Sequence, residues 1–300
     1  MLRMIAKLRR AYMAAGSIAL CACTIGAAVA ETPVERGAYL VTTIGSCGNC
    51  HSPRDAPGHV AAGKELSGGN EFDEDIGHVV GPNITPDRET GIGAWTEAEI
   101  IASLRDGKRP DGTIIGPPMP IIAYHMLSDK DAAAIAAYLL SLPPIHNAVA
   151  RTQYKIPLPP SWGPPVTQVA EPAHDDKAGY GRYLATFGHC VLCHTAPGGG
   201  QPLDMSHAFA GGRQLPNADE PPAGVVISRN ITSDPEEGIG KWSDEQIKRA
   251  LVEGVRPDGT KLSHTMPYTW YANLAPADLD AIVVFLRTLP PIKTPAPRAK

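Results

Sequence analysis

The sequence predicts an all-α chain built from two tandem copies of one module, in which short helices alternate with long loops. Three observations predict it. Glycine and proline number 30 each among 300 residues while aromatics make up only 6%, so turn-formers abound and the apolar mass of a long-helix bundle or large sheet is missing. Strings from the first half return in the second at a constant offset. Behind capping residues, apolar positions recur at helical spacing. Hydrophobic residues at 43% and charged residues at 19% exclude wholesale disorder, which needs low hydrophobicity and high net charge.

The first thirty residues read as an export signal. Arg3, Lys7, Arg9 and Arg10 form a basic head, residues 11–27 an apolar run, and Ala28-Val29-Ala30 a small-x-small cleavage site. The expectation is cleavage after Ala30 and a periplasmic mature protein. Two alternatives fit the pattern less well: an uncleaved anchor, since the run approaches the ~20 residues that span a bilayer, and a lipoprotein modified at Cys23. No other segment reads as a membrane span, so any further membrane association would be peripheral. Removing four basic and no acidic residues from 27 basic and 31 acidic ones takes the formal charge from −4 to −8. That balance argues against a nucleic-acid partner and for a protein partner with a basic docking patch.

Four cysteines remain beyond the signal, as Cys47-Gly48-Asn49-Cys50-His51 and Cys190-Val191-Leu192-Cys193-His194. Two disulfides or half a zinc site each would account for paired cysteines, and either would leave the protein colourless. The histidine directly after each pair favours covalent haem c. On a helical turn, residues three apart share a face, so both thiols reach the porphyrin vinyl groups while the next imidazole turns under the iron. The expectation is two haem c groups, attached through Cys47/Cys50 and Cys190/Cys193.

The repeat is explicit. Asn83-Ile84-Thr85 returns as Asn230-Ile231-Thr232, Gly91-Ile92-Gly93-x-Trp95 as Gly238-Ile239-Gly240-x-Trp242, and Arg109-Pro110-Asp111-Gly112-Thr113 as Arg256-Pro257-Asp258-Gly259-Thr260. Over residues 83–145 the offset is 147 and about 29 of 63 positions are identical; the haem motifs are offset by 143, so the second copy carries four more residues in between. Met119, before Pro120, pairs with Met266, before Pro267, and no other Met or His downstream of the motifs recurs in register. A thioether on a proline-stiffened loop suits a second axial ligand; a repeated core methionine is the plain alternative.

Each copy opens with a helix carrying Gly37, Tyr39 and Leu40, or Gly181, Tyr183 and Leu184, whose small-then-aromatic pattern suggests close helix packing. A second helix starts at a capping box, Thr96-x-x-Glu99 or Ser243-x-x-Gln246, and stops at Gly107 or Gly254. A third runs from about Asp129 to Ser141 and from about Pro276 to Thr288, ending at Leu-Pro-Pro. The expected layout is a signal at 1–30, modules at 31–156 and 177–300, and a semi-extended linker at 157–176 with six prolines. A polar, frayed tail follows Lys293.

These strings resemble those of the class I cytochrome c superfamily over nearly all of the mature chain. They look like the cytochrome c subunits of bacterial alcohol and gluconate dehydrogenases, and like cytochromes that accept electrons from molybdenum-containing aldehyde and N-heterocycle dehydrogenases. The alcohol and gluconate subunits usually carry a third haem motif and a membrane-associating C-terminus, neither of which is present here. The resemblance implies that His51 and His194 are proximal ligands and Met119 and Met266 distal ones. It makes Asn83, Trp95 and Arg109, with Asn230, Trp242 and Arg256, candidates for holding the haem propionates; solvated turn arginines and ring-covering tryptophans are the alternative. With both axial positions filled, the reading is an electron carrier and no enzyme. Its donor would be a dehydrogenase and its acceptor another cytochrome, an oxidase or a quinone-linked protein. A two-haem peroxidase or thiosulfate-oxidising cytochrome is the second hypothesis, opposed by the equivalence of Met119 and Met266 and by the lack of a spare cysteine.

Overall fold

The computed structural model describes residues 31–56, 59–198, 202–219 and 224–296; the export signal, its cleavage site and Cys23 lie outside them, as does the end of the tail. The first copy contains α1 (Pro33–Thr42), α2 (Gly48–His51), α3 (Glu97–Arg105), α4 (Ile121–Tyr124) and α5 (Asp129–Ser141). The second contains α6 (Lys177–Phe187), α7 (Cys190–Cys193), α8 (Asp244–Glu253), α9 (Tyr268–Tyr271) and α10 (Pro276–Thr288). Helix starts follow local chemistry. Reciprocal capping boxes open α1 at Thr32/Glu35, α3 at Thr96/Glu99 and α8 at Ser243/Gln246, satisfying backbone donors that a first turn leaves free. Left-handed Gly254 ends α8, and Leu-Pro-Pro follows both α5 and α10.

Short strands depart from the all-α expectation. Antiparallel pairs form between β1 (Arg54–Ala56) and β2 (His59–Val60), between β3 (Glu71–Glu74) and β4 (Gly77–Val80), and between β6 (Gln214–Pro216) and β7 (Val225–Ile227). β5 (Gln153–Tyr154) adds to the free edge of β4. Loops that wall a cavity still have to pair their backbone groups, and two extended stretches laid side by side do so. Segments of two to four residues are too short to display a period in the sequence.

α1 crosses α5, and α6 crosses α10, at one glycine each. A Cβ on Gly37 would stand 1.9 Å from the Ala134 carbonyl oxygen, and one on Gly181 1.9 Å from that of Ala281. Leu40, Val41 and Ile44 are buried with Ile135 and Leu139, and Leu184 with Ile282 and Leu286, within one continuous apolar cluster that draws on both copies. The copies also exchange matched hydrogen bonds: Tyr39 OH donates to Asp278 at 2.7 Å, and Tyr183 OH to Asp131 at 2.6 Å.

The proline-rich segment contains no helix or strand and lies against the first copy. Val166 N donates to Asp106 Oδ1 (2.9 Å), Asp129 N to Val169 O (2.9 Å), and Lys130 pairs with Glu171 (3.0 Å). The beginning of the tail is also tied, by Lys293 to Glu236 (3.0 Å) and by Thr294 N to Glu237 (2.7 Å).

Candidate functional site

Each Cys-x-x-Cys-His string occupies a single helical turn, α2 or α7. The residue before each first cysteine lies in the left-handed region, Ser46 at φ 43° and His189 at φ 47°. Two unrelated side chains thus make one backbone bend, which carries the chain from the end of α1 or α6 into the attachment turn. Cys47, Cys50, Cys190 and Cys193 are all free thiols. Burial pushes Cys47 and Cys190 up to about 12 and Cys50 to about 11, and raises Cys193 as well.

The imidazoles are oriented alike. His51 Nδ1 lies 2.9 Å from Pro82 O, and His194 Nδ1 2.7 Å from Arg229 O. A carbonyl only accepts, so Nδ1 carries the proton and the Nε2 lone pair is left for a metal. Burial lowers both histidines, opposed by the same carbonyls, and so favours the neutral form that ligates. The backbone on the other side is matched too: Gly68 N donates to His51 O at 2.7 Å and Gly211 N to His194 O at 2.8 Å. The four extra residues of the second copy therefore fall between Gly212 and Asn230, the stretch that contains β6 and β7.

All the candidate residues line one cavity of about 2620 Å³, well above the roughly 300–1,000 Å³ of a pocket for one small molecule. Met119 and Met266 are half-buried in it and pack on the core, as do Cys47, Cys190, Trp95 and Trp242. The two attachment turns line this same cavity. Trp270 of the second copy covers the first turn, where a Cβ on Gly48 would stand 2.2 Å from its ring. A thiol pair, an imidazole with a free Nε2 and a thioether, all facing one large cavity in each copy, fit haem c.

The propionate candidates divide. Asn83 gives one amide hydrogen to Thr90 Oγ1 (3.1 Å) and the other to Ile145 O (2.8 Å), while its Oδ1 accepts from Thr85 N and Oγ1 (2.9 and 2.7 Å). Asn230 does the same with Thr294 Oγ1, Ile292 O and Thr232. Neither amide has a hydrogen left for a propionate; both clamp the Asn-Ile-Thr loop to the chain after the last helix. Arg109 donates through Nη1 to Ile114 O (3.1 Å) and Thr113 Oγ1 (3.3 Å). Burial and the nearby Arg151 guanidinium lower its pKa. Arg151 is itself paired with Asp111 Oδ2 at 2.9 Å, so a carboxylate of the protein already lies beside the two guanidinium groups. Arg256 makes a long contact of 3.9 Å to Asp258.

The carbonyls of Pro82 and Arg229 were not among the candidates. Their signal was positional, since each directly precedes the repeated Asn-Ile-Thr.

The family model for cytochrome c matches residues 34–143. A diheme c-type cytochrome of Cereibacter sphaeroides is 32% identical over 268 residues, covering 83% of this chain and 83% of its own. The fructose dehydrogenase cytochrome subunit of Gluconobacter japonicus is 30% identical, covering 86% of this chain and 52% of its own. The gluconate 2-dehydrogenase cytochrome c subunit of Pantoea cypripedii is 28% identical over 85% of this chain and 59% of its own. The chain thus spans little more than half the length of the dehydrogenase subunits it matches.

Proposed function

Because the chain belongs to the cytochrome c family, we propose that it is a periplasmic electron-transfer protein of two tandem class I domains, 31–156 and 177–300, each holding one haem c. It moves single electrons between protein partners and catalyses no reaction of its own. When bound, haem c supplies a one-electron iron couple; the chain supplies everything that holds and tunes it. Cys47/Cys50 and Cys190/Cys193 form the thioether links. His51 and His194 ligate through Nε2, kept in that tautomer by Pro82 O and Arg229 O. Met119 and Met266 would supply the second protein ligand to each iron, and a thioether there would set a higher potential than a second imidazole would. Trp95 and Trp242, whose indole N–H groups have no hydrogen-bond partner among the described residues, and Arg109 and Arg256 face the propionates.

Filled axial positions leave no site for peroxide or thiosulfate, which disfavours the enzyme reading. Dehydrogenase cytochrome subunits among the relatives support a dehydrogenase as donor; the acceptor in this proposal is a cytochrome, an oxidase or a quinone-linked protein leading to the respiratory chain. Among the described residues no helix is long and apolar enough to cross a membrane. The observation that carries the proposal is the matched set in both copies: thiol pair, carbonyl-anchored imidazole and methionine in one cavity. Haem quantitation with a spectroelectrochemical titration tests it. The expected result is two covalent haems per chain, a thioether–iron charge-transfer band and two reversible one-electron steps. One haem, or appreciable turnover of peroxide or thiosulfate, would overturn it.

A further inference from the structure

The two methionine loops are built on the same stem but held by different means. In the first copy Ile115 N donates to Gly107 O at 2.7 Å; in the second, Leu262 N donates to Gly254 O at 2.8 Å. Gly107 and Gly254 are equivalent, with φ of 61° and 63°, and each is roofed by an aromatic ring. Over Gly254 the ring is Tyr268, 2.6 Å from where a Cβ would stand, and its hydroxyl bonds His264 Nε2 at 2.8 Å, two residues before Met266. The first copy has Ile121 at the Tyr268 position. Ile121 Cγ1 comes within 3.0 Å of the corresponding Cβ position, but the ring over Gly107 comes from the interdomain segment: Trp162 Cδ1 lies closer, at 2.6 Å.

Trp162 also bonds the loop itself. Its Nε1–H donates to Ile115 O at 2.7 Å, four residues before Met119, and its own carbonyl faces His125 Nε2 at 3.2 Å. Leu158 of the same segment lies 2.5 Å from the Cβ position of Gly116. Leu158, Trp162 and Met119 all line the cavity.

We propose that Trp162 is a positioning residue for Met119, supplying from the linker the ring that Tyr268 supplies from within the second copy. Residues 157–176 are then a strap that completes one iron site and not the other. This rests on the reading of Met119 and Met266 as axial ligands. A thioether is a weak, neutral ligand on a loop without regular structure, so its hold on iron depends on how firmly the stem is fixed. The strap fixes the Met119 loop through an indole and a backbone carbonyl; the Met266 loop is held inside its own copy, by the Tyr268–His264 bond and by bonds from Ser263, His264 and Thr265 to Asn217, Asp219 and Pro216.

The test uses the full-length, haem-loaded protein with two readouts, the intensity of the thioether–iron charge-transfer band and the two midpoint potentials. Trp162→Ala is expected to remove up to half of the band and lower one potential while leaving the other in place. Tyr268→Ala should move the other potential. Trp162→Phe keeps a ring over Gly107 and deletes only the N–H bond, so it should shift the same potential as Trp162→Ala, by less, and it remains informative if the alanine variant fails to fold. An unchanged band and unchanged potentials in Trp162→Phe and Trp162→Ala, or equal shifts of both potentials, would overturn the proposal. Absence of the band in the unsubstituted protein would instead overturn methionine ligation itself, and would be seen before any variant is made.

Discussion

At the scale of single residues, position was easier to read than role. The repeated Asn-Ile-Thr marks Asn83 and Asn230 as needed in both copies, and family resemblance suggests a donor toward the haem. The structure uses all four hydrogen-bonding capacities of each amide within the protein, against partners up to 64 residues away. A string repeated around a cofactor does not say whether it touches the cofactor or holds the loop that does. Imidazole and thioether chemistry singles out the axial candidates in the sequence, whereas the carbonyls that lie against the histidines carry no such mark, since any residue can supply a carbonyl. Asn83→Ala would leave Thr85 N, 1% exposed as a residue, without its partner, and would leave Ile145 O only the longer bond from Thr85 Oγ1 at 3.3 Å. The expected cost is about 1–3 kcal/mol, the penalty for stranding buried polar groups. Urea unfolding reads this cost, and haem stoichiometry should not change.

Helices were read correctly where their ends carry side-chain chemistry. Capping boxes, prolines and Leu-Pro-Pro are local signals, and α3, α5, α8 and α10 lie where they place them. The strands were invisible because β-pairing of two to four residues is fixed by the loop's need to pair its backbone, not by an alternating pattern. The prolines mark a linker, but its contact with the first copy runs through Trp162, Val166, Val169 and Glu171, residues that belong to no motif. Gly37 and Gly181 show what the sequence does express: a residue required to be small where two helices meet. Gly37→Ala places a methyl 1.9 Å from the Ala134 carbonyl oxygen, so α1 must lift away from α5. A destabilisation of about 1–3 kcal/mol is expected, the range for overpacking, against the usual gain from alanine in a helix interior. A Gly37→Ala protein as stable in denaturant as the parent would show that the helix pair is looser than this contact implies.

Across the whole molecule, the repeat established that two copies exist but not how they face each other, because Tyr39 and Asp278 are 239 residues apart and neither forms part of a motif. Their arrangement is that of an isologous contact, as in a symmetric dimer, where residue i of one copy meets j of the other and the reverse. Tyr39 OH meets Asp278 and accepts from Ala275 N (3.1 Å); Tyr183 OH meets Asp131 and accepts from Ser128 N (3.2 Å). The symmetry breaks at Ser128, whose counterpart is Ala275, and at Arg36. Arg36 binds Asp131 through two nitrogens at 2.8 and 3.0 Å, and its counterpart in the second copy is Tyr180. Burial opposes the Arg36 charge, but Asp131 more than compensates and holds its pKa above the ordinary value. Asp131 therefore keeps a charged partner if Tyr183 is lost, whereas Asp278, 8% exposed, has no other side-chain donor among the described residues. Tyr39→Phe is accordingly expected to cost about 1.5–3 kcal/mol, the range for a hydrogen bond to a charged group, and Tyr183→Phe less than about 1 kcal/mol. A double-mutant cycle with Asp278→Ala should return most of the Tyr39 effect as coupling. Equal costs for the two tyrosines, measured by urea unfolding, would show that Arg36 does not support Asp131 independently of Tyr183 and that the two halves of the contact act as one network.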